Sequence, residues 1–223
     1  MTDLELGGIW LAVLAASLAG CVIVHGLGLA STYVRDALHV GAGIWIVSWP
    51  YWHGAAVPIA IVAIVAFATA ALPVVAPHWT LAARLVRSVT NGDEHWTGLV
   101  HYTVAYAALT TLGLAIDPFP AAVALLALSL GDGLGGLAGR TFGRHYYRAP
   151  GGKRKTLEGS LVVAFGAAAG VWLAAHLLST GISLPVVVAL GALAALTEAL
   201  SPRGTDNLLV PVVVWTAATA VTL

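Results

Sequence analysis

The chain has 223 residues, of which 59% are hydrophobic and only 9% charged, with a formal net charge of zero. Soluble domains carry roughly 25% charged residues, so the composition excludes an ordinary soluble fold and predicts an integral membrane protein. A single cysteine, Cys21, excludes an internal disulfide and a cysteine-rich metal site, and no nucleic-acid partner is expected.

The acidic start, MTDLELGG, lacks the basic region of a secretory signal, so the first apolar segment is expected to stay as a helix. About 20 apolar residues cross the hydrocarbon core. That length predicts spans at 6–30, 36–51, 54–76, 96–115, 119–139, 157–179, 183–200 and 207–222. The second is short, with Pro50 and Pro58 around its exit, so a re-entrant 36–51 and seven crossings is the alternative to eight. The expected fold is an all-α polytopic bundle forming one transmembrane domain, 1–223, with connections near 31–36, 77–95, 140–156 and 201–206 on one side.

Charge supports that count. All ten basic residues follow odd-numbered spans: Arg35, then Arg84 and Arg87, then Arg140 to Lys155, then Arg203. Asp3, Glu5 and Asp117 lie on the other side. The positive-inside rule puts the basic connections in the cytoplasm and both termini outside, in the cell membrane. Trp45, Trp49, Trp52, Trp79 and Trp96 fall near the predicted membrane edges, where aromatic belts sit. His25, His101 and His176 lie within spans and are expected to bond between helices.

The stretch 129–160 concentrates the polar chemistry. Asp132 sits in an apolar run, where an acid is a functional hypothesis by default. Gly131, Gly135, Gly139 and Gly143 recur every four residues and line one helix face. Such a stripe lets helices pack closely, or offers bare backbone to an anion. The basic residues that follow, Arg140, Arg144, Arg148, Lys153, Arg154 and Lys155, favour phosphate, although no P-loop is present. Thr156 is expected to cap the next helix with Glu158 in its first turn, which leaves Lys155 at an anion-attracting helix start.

Near the end of the chain, Glu198 closes an apolar span, Pro202 and Gly204 break it, and Asp206 and Asn207 open the last one. Broken helices in membranes are tolerated where they line a buried or wet cavity. Asp132, Glu158 and Asp206 at one membrane edge could hold magnesium, which takes one or two carboxylates plus substrate phosphates.

In combination these motifs resemble the polyprenol kinase family, which includes CTP-dependent dolichol kinase, phytol kinase and the fungal CTP-dependent diacylglycerol kinase. The resemblance rests on Gly131-Asp132, Gly139, Gly143-Arg144-His145, Lys155-Thr156-x-Glu158-Gly159-Ser160 and Asp206-Asn207-Leu208-Leu209-Val210-Pro211. Two weaker elements add to it: Arg35-Asp36-x-x-His39, with Asp36 in place of a lysine, and Glu94, Gly98 and Tyr102 at four-residue spacing. The resemblance implies transfer of the γ-phosphate of CTP to an isoprenoid alcohol. It assigns magnesium to Asp132 with Glu158 or Asp206. Nucleotide and phosphate contacts would fall to Arg35, Arg144, Lys153, Arg154, Lys155, Thr156, Gly159, Asn207 and the glycine ladder, and proton transfer to His39. A cytidylyltransferase making a CDP-lipid is the nearest alternative, and a transporter with an Asp132, Glu198 and His101 relay a more distant one. Self-association through the ladder is left open.

Overall fold

A computed structural model describes residues 1–90, 93–152, 154–202 and 204–222. Helix α1 (Asp3–Gly26) opens on a capping box, in which Glu5 N donates to Thr2 Oγ1 at 3.2 Å and Thr2 N to Glu5 Oε2 at 2.7 Å. The chain turns at Gly28, whose φ of +101° suits glycine. It continues as α2 (Ser31–Ala42), α3 (Ile44–Val47) and a 3-10 turn at Trp49–Tyr51, with helical backbone at Gly43 and Ser48 between them. These 21 residues make roughly 30 Å of nearly continuous helix. They run back along α1, because His53 N donates to Asp3 Oδ1 at 2.9 Å. The short second segment therefore runs along most of the length of α1. Residues 31–36 are helical, so the connection expected there is 27–30: the Gly28 turn ends α1 earlier than the apolar pattern suggests.

Helix α4 (Ala56–Val75) and a 3-10 turn lead to α5 (Thr80–Val89), an amphipathic helix inside the connection predicted at 77–95. It buries Ala82 and Val89 and packs on α1 and α2. After α6 (Asp93–Ala115), Asp117 caps α7 (Pro118–Leu126) by accepting from Phe119 N at 2.9 Å. A π-helical segment, Ala127–Asp132, joins α7 to α8 (Gly133–Phe142). Two strands then depart from the all-α expectation: β1 (Tyr146–Arg148) and β2 (Arg154–Thr156) pair antiparallel, with Tyr147 opposite Lys155. Helices α9 (Leu157–Leu177), α10 (Leu184–Leu200) and α11 (Asp206–Thr222) complete the fold. Among the described residues, five helices are long and apolar enough to cross a membrane: Asp3–Gly26, Ala56–His78, Trp96–Ala115, Pro118–Phe142 and Leu157–Leu177. Leu184–Leu200 and Asp206–Val221 are apolar but shorter.

The unit from α7 to α8 runs through the centre, antiparallel to α9, and the glycines explain how closely the two approach. A Cβ at Gly170 would lie 2.7 Å from the carbonyl carbon of Leu126, and one at Gly166 would lie 2.6 Å from Leu130 O. From the facing side, a Cβ at Gly131 would lie 3.1 Å from Val163 O, and one at Gly135 would overlap Val163. The ladder is thus a packing seam of small residues. Gly131 and Gly143 in particular are turned to α9 and Thr156, which is the packing reading of the stripe and not the phosphate contact that the resemblance implies.

Two of the expected belt tryptophans also prove to be core. Trp45 and Trp49 are 6% and 4% exposed. Trp45 Nε1 donates to Thr110 Oγ1 at 3.2 Å, and Trp49 fills the space above Gly113. Their segment lies between α1 and the centre, so rings that the sequence places at a membrane edge face inward. His25 and His176 make local contacts, with Leu29 O and the Trp172 ring respectively, and among the described residues no bond from either to another helix is seen.

Candidate active site

The described residues of the connections around 27–30, 76–95, 143–156 and 201–205 gather at one end of the bundle. Asn207 Nδ2 donates to Gly98 O at 2.8 Å, His101 Nδ1 lies 2.6 Å from Gly204 O, and Lys155 reaches Glu198. Gly204 has a φ of +71°, so the turn that returns the chain to this end depends on glycine. Between these parts lies a cavity of about 690 Å³. Its wall takes Arg35, Asp36 and His39 from α2, Asp132, Gly135, Gly139 and Arg140 from the central helix, and Tyr146, Arg154 and Lys155 from the hairpin. Thr156 and Gly159 come from the start of α9, Glu198 from the end of α10, and Asp206 and Asn207 from the start of α11.

Three carboxylates converge there. Oxygens of Asp132, Glu198 and Asp206 lie within 4.8 Å of one another. The Lys155 ammonium is 2.6 Å from Glu198 Oε1 and also donates to the Glu198 carbonyl. Lys155 points inward because strand alternation puts it on the same hairpin face as Tyr147, whose hydroxyl is 2.6 Å from Ser160 Oγ. The donor set is all hard oxygen and supplied by three helices, which fits Mg²⁺ with room for phosphate oxygens.

Asp132 owes its position to the π segment. Wider turns of this kind are frequent at functional sites. Here a buried hydroxyl cluster holds it: Ser129 Oγ donates to Leu125 O at 2.8 Å and meets the hydroxyls of Tyr106 and Tyr102, the latter at 3.3 Å. Tyr102 in turn donates to His39 O at 3.0 Å, and its ring lies 3.8 Å from the imidazole, centroid to centroid. The cluster therefore ties α6, α2 and the central helix together beneath the cavity.

His39 Nε2 sits 3.1 Å from Asn207 Oδ1 and 3.5 Å from Asp132 Oδ2. The bond from Asn207 Nδ2 to Gly98 O fixes the amide so that its oxygen faces the ring. Nε2 is then the N–H of the imidazole and donates. His39 in this state orients Asn207 and Asp132 through Nε2.

Glu158 does not join the acids. Its carboxylate lies 2.7 Å from His145 Nδ1 and accepts from His145 N at 3.3 Å, fastening the start of the hairpin to the start of α9. Thr156 does cap α9, accepting from Gly159 N at 3.1 Å. Because Glu158 follows this cap by two residues, the helix turns it away from the cavity. Glu198 stands beside Asp132 and Asp206, where Glu158 was expected. Of the remaining expected contacts, Arg35, Arg154, Lys155, Thr156, Gly135, Gly139, Gly159 and Asn207 line the cavity, while Gly131, Gly143 and Arg144 do not. Lys153 lies outside the described residues.

One further feature is not legible in the sequence. Arg140 pairs with Asp36 and stacks 5.7 Å from the Tyr33 ring, so a cation from α8 stands at the wall where α2 carries an acid. Glu198, which the sequence joins to Asp132 only in the transporter alternative, meets Asp132 and Asp206 in the three-acid group. His101 turns to Gly204, away from the relay that a transporter reading would draw.

A phytol kinase of Synechocystis sp. (strain ATCC 27184 / PCC 6803 / Kazusa) is 32% identical over 223 aligned positions, covering 91% of this chain and 88% of that protein. The chain belongs to the polyprenol kinase family. No model of a protein family and no solved structure matches it. In this polyprenol kinase family member, the weak Gly98 and Tyr102 motif gains a structural role. Gly98 O receives the Asn207 amide and Tyr102 supports the His39 backbone, while the side chain of Glu94 lies outside the described residues.

Proposed function

We propose that the chain is a CTP-dependent kinase that moves the γ-phosphate of CTP to the hydroxyl of an isoprenoid alcohol at the cytoplasmic face of the cell membrane. The observation that carries this reading is the single cavity in which three carboxylates meet Lys155, Arg154 and Arg35, in a chain related to a phytol kinase. We read the bundle as eight crossings with both termini outside. The site then lies at the membrane edge, between a soluble donor and a lipid acceptor.

Asp132, Glu198 and Asp206 would hold Mg²⁺, which when bound neutralises phosphate charge and aligns the donor. Phosphoryl transfer depends mostly on positioning and charge neutralisation. Arg35, Arg154 and Lys155 provide fixed positive charge for the polyphosphate, and Lys155 exchanges its hold on Glu198 for phosphate oxygens. His39 and Asn207 keep the Asp132 carboxylate in place. A loose transition state asks little of a base.

The test is transfer from γ-labelled CTP with Mg²⁺ by purified protein in liposomes, offering phytol, geranylgeraniol, a long polyprenol and diacylglycerol. A labelled lipid monophosphate that is lost with Asp132→Asn supports the reading. Release of pyrophosphate with formation of a CDP-lipid would replace it with a cytidylyltransferase. Folded protein that performs neither reaction with any acceptor would leave transport as the reading to pursue.

A further inference from the structure

The hairpin has two unlike faces. Tyr147 and Lys155 anchor it to Ser160 and Glu198, while Tyr146 and Arg154 stand on the other face, diagonally across the strands. Arg154 Cζ lies 4.4 Å from the centroid of the Tyr146 ring, and Tyr146 is 57% exposed. Both side chains line the main cavity, and both also line an adjoining cavity of about 330 Å³ bounded by Tyr147 and Arg148. The ring thus stands where the two spaces meet. A tyrosine of a membrane belt has apolar neighbours facing lipid. This one has arginines beside it and an acid-and-lysine cluster across the cavity.

An exposed ring paired with a guanidinium, beside a cavity built for polyphosphate, offers what a nucleobase needs: a flat apolar face and a cation. We propose that Tyr146 and Arg154 form the base-stacking platform for the nucleotide donor. The smaller cavity receives the base and sugar, and the triphosphate extends toward Lys155. This rests on the nucleotide-dependent kinase reading above. Stacking tolerates any base, so the platform supplies affinity for nucleoside triphosphates in general and leaves the choice of CTP to other contacts.

The experiment measures Mg²⁺-dependent binding of CTP, ATP and inorganic tripolyphosphate to the full chain in nanodiscs, comparing wild type, Tyr146→Ala and Tyr146→Phe. Loss of the ring is expected to weaken CTP and ATP by about 5- to 150-fold and to leave tripolyphosphate affinity unchanged. Tyr146→Phe, which keeps the ring, should hold nucleotide affinity within about threefold. The KM for nucleotide should rise in Tyr146→Ala. Wild-type nucleotide affinity in Tyr146→Ala, or an equal loss for tripolyphosphate, would overturn the platform alone. If folded wild-type protein binds tripolyphosphate but no nucleotide, the kinase reading fails as well.

Discussion

The central helix and the two least buried long helices have opposite surroundings, and the buried one is the less apolar: its mean hydropathy is 1.7, against 2.2 for Asp3–Gly26 and 2.6 for Ala56–His78. Of the apolar stretch in Pro118–Phe142, 67% is buried, against 11% in α1 and 11% in α4. Bulky residues such as Ile9, Ile23, Ile64 and Phe67 face outward. Lipid tails are as apolar as leucine, so a side chain gains little by turning from lipid to protein. Small residues that let backbones approach, and polar groups that would lack partners in lipid, gain much more. The central helix holds both kinds: Gly131, Gly135 and Gly139 on one side, Ser129 and Asp132 on the other. In this chain, smallness and polarity mark the interior and lead to the site.

The sharpest break of that contrast places one large side chain in each setting. Gly170→Leu meets main-chain atoms of Leu126 and Ala127 at 2.7–3.0 Å, and backbone inside a seam cannot move aside. Overpacking costs about 1–3 kcal/mol and occasionally more, and here the clash should abolish monodisperse protein in detergent. Gly8→Leu on α1 has nothing within 4 Å of the added Cβ and should leave yield and melting temperature unchanged. Equal behaviour of the two variants would mean that the seam is not what holds the bundle together.

A second comparison sets an acid of the central helix against an acid at the opposite end. Asp132→Asn or Glu198→Gln should lower phosphate transfer by more than the 10- to 100-fold typical of groups that only orient a metal ligand. Asp117→Asn, which can still cap α7, should retain wild-type transfer. Transfer rates across a Mg²⁺ titration read both outcomes, and a Glu198→Gln enzyme with normal rates would remove that residue from the metal group. A smaller effect is expected beneath the site. Ser129→Ala leaves the Tyr102 and Tyr106 hydroxyls short of a buried partner, at a cost of about 1–3 kcal/mol. Thermal unfolding should register it, with a rise in the Mg²⁺ concentration needed for half-maximal rate if the π segment shifts Asp132.

Much of this arrangement was legible before the fold. Apolar length located the long helices to within a few residues, since caps such as Thr2, Asp117 and Thr156 stand at their starts. The order of Asp132, the basic connection and Asp206 marked the end of the bundle that holds the cavity. What sequence could not reach were relations between distant segments. Glu198 meets Asp132 only because α10 ends beside the π segment, and Asp36 holds Arg140 across more than a hundred residues. Trp45 reads as a belt residue until the packing of α3 against the centre turns its ring inward. Spacing identified the glycine ladder correctly as a stripe, but which neighbour it faced was a question of tertiary structure.

Glu158 gives the smallest expected effect and tests how far local sequence logic can be trusted. It stands within the most specific motif of the chain, three residues after Lys155, and an acid there reads naturally as a partner of Asp132. The helix geometry denies that. Once Thr156 caps α9, position 158 points to His145 and solvent, while Lys155, still on the strand, points inward. Glu158→Gln keeps an acceptor for His145 N and favours the helix start slightly less, so transfer and its Mg²⁺ dependence should stay within about twofold of wild type, as for an exposed ion pair. A loss matching that of Glu198→Gln would show instead that Glu158 swings into the cavity when donor binds. The hairpin start would then have to loosen from α9 during turnover, and Tyr147→Phe, which removes a further side-chain tie to Ser160, should in that case raise the rate.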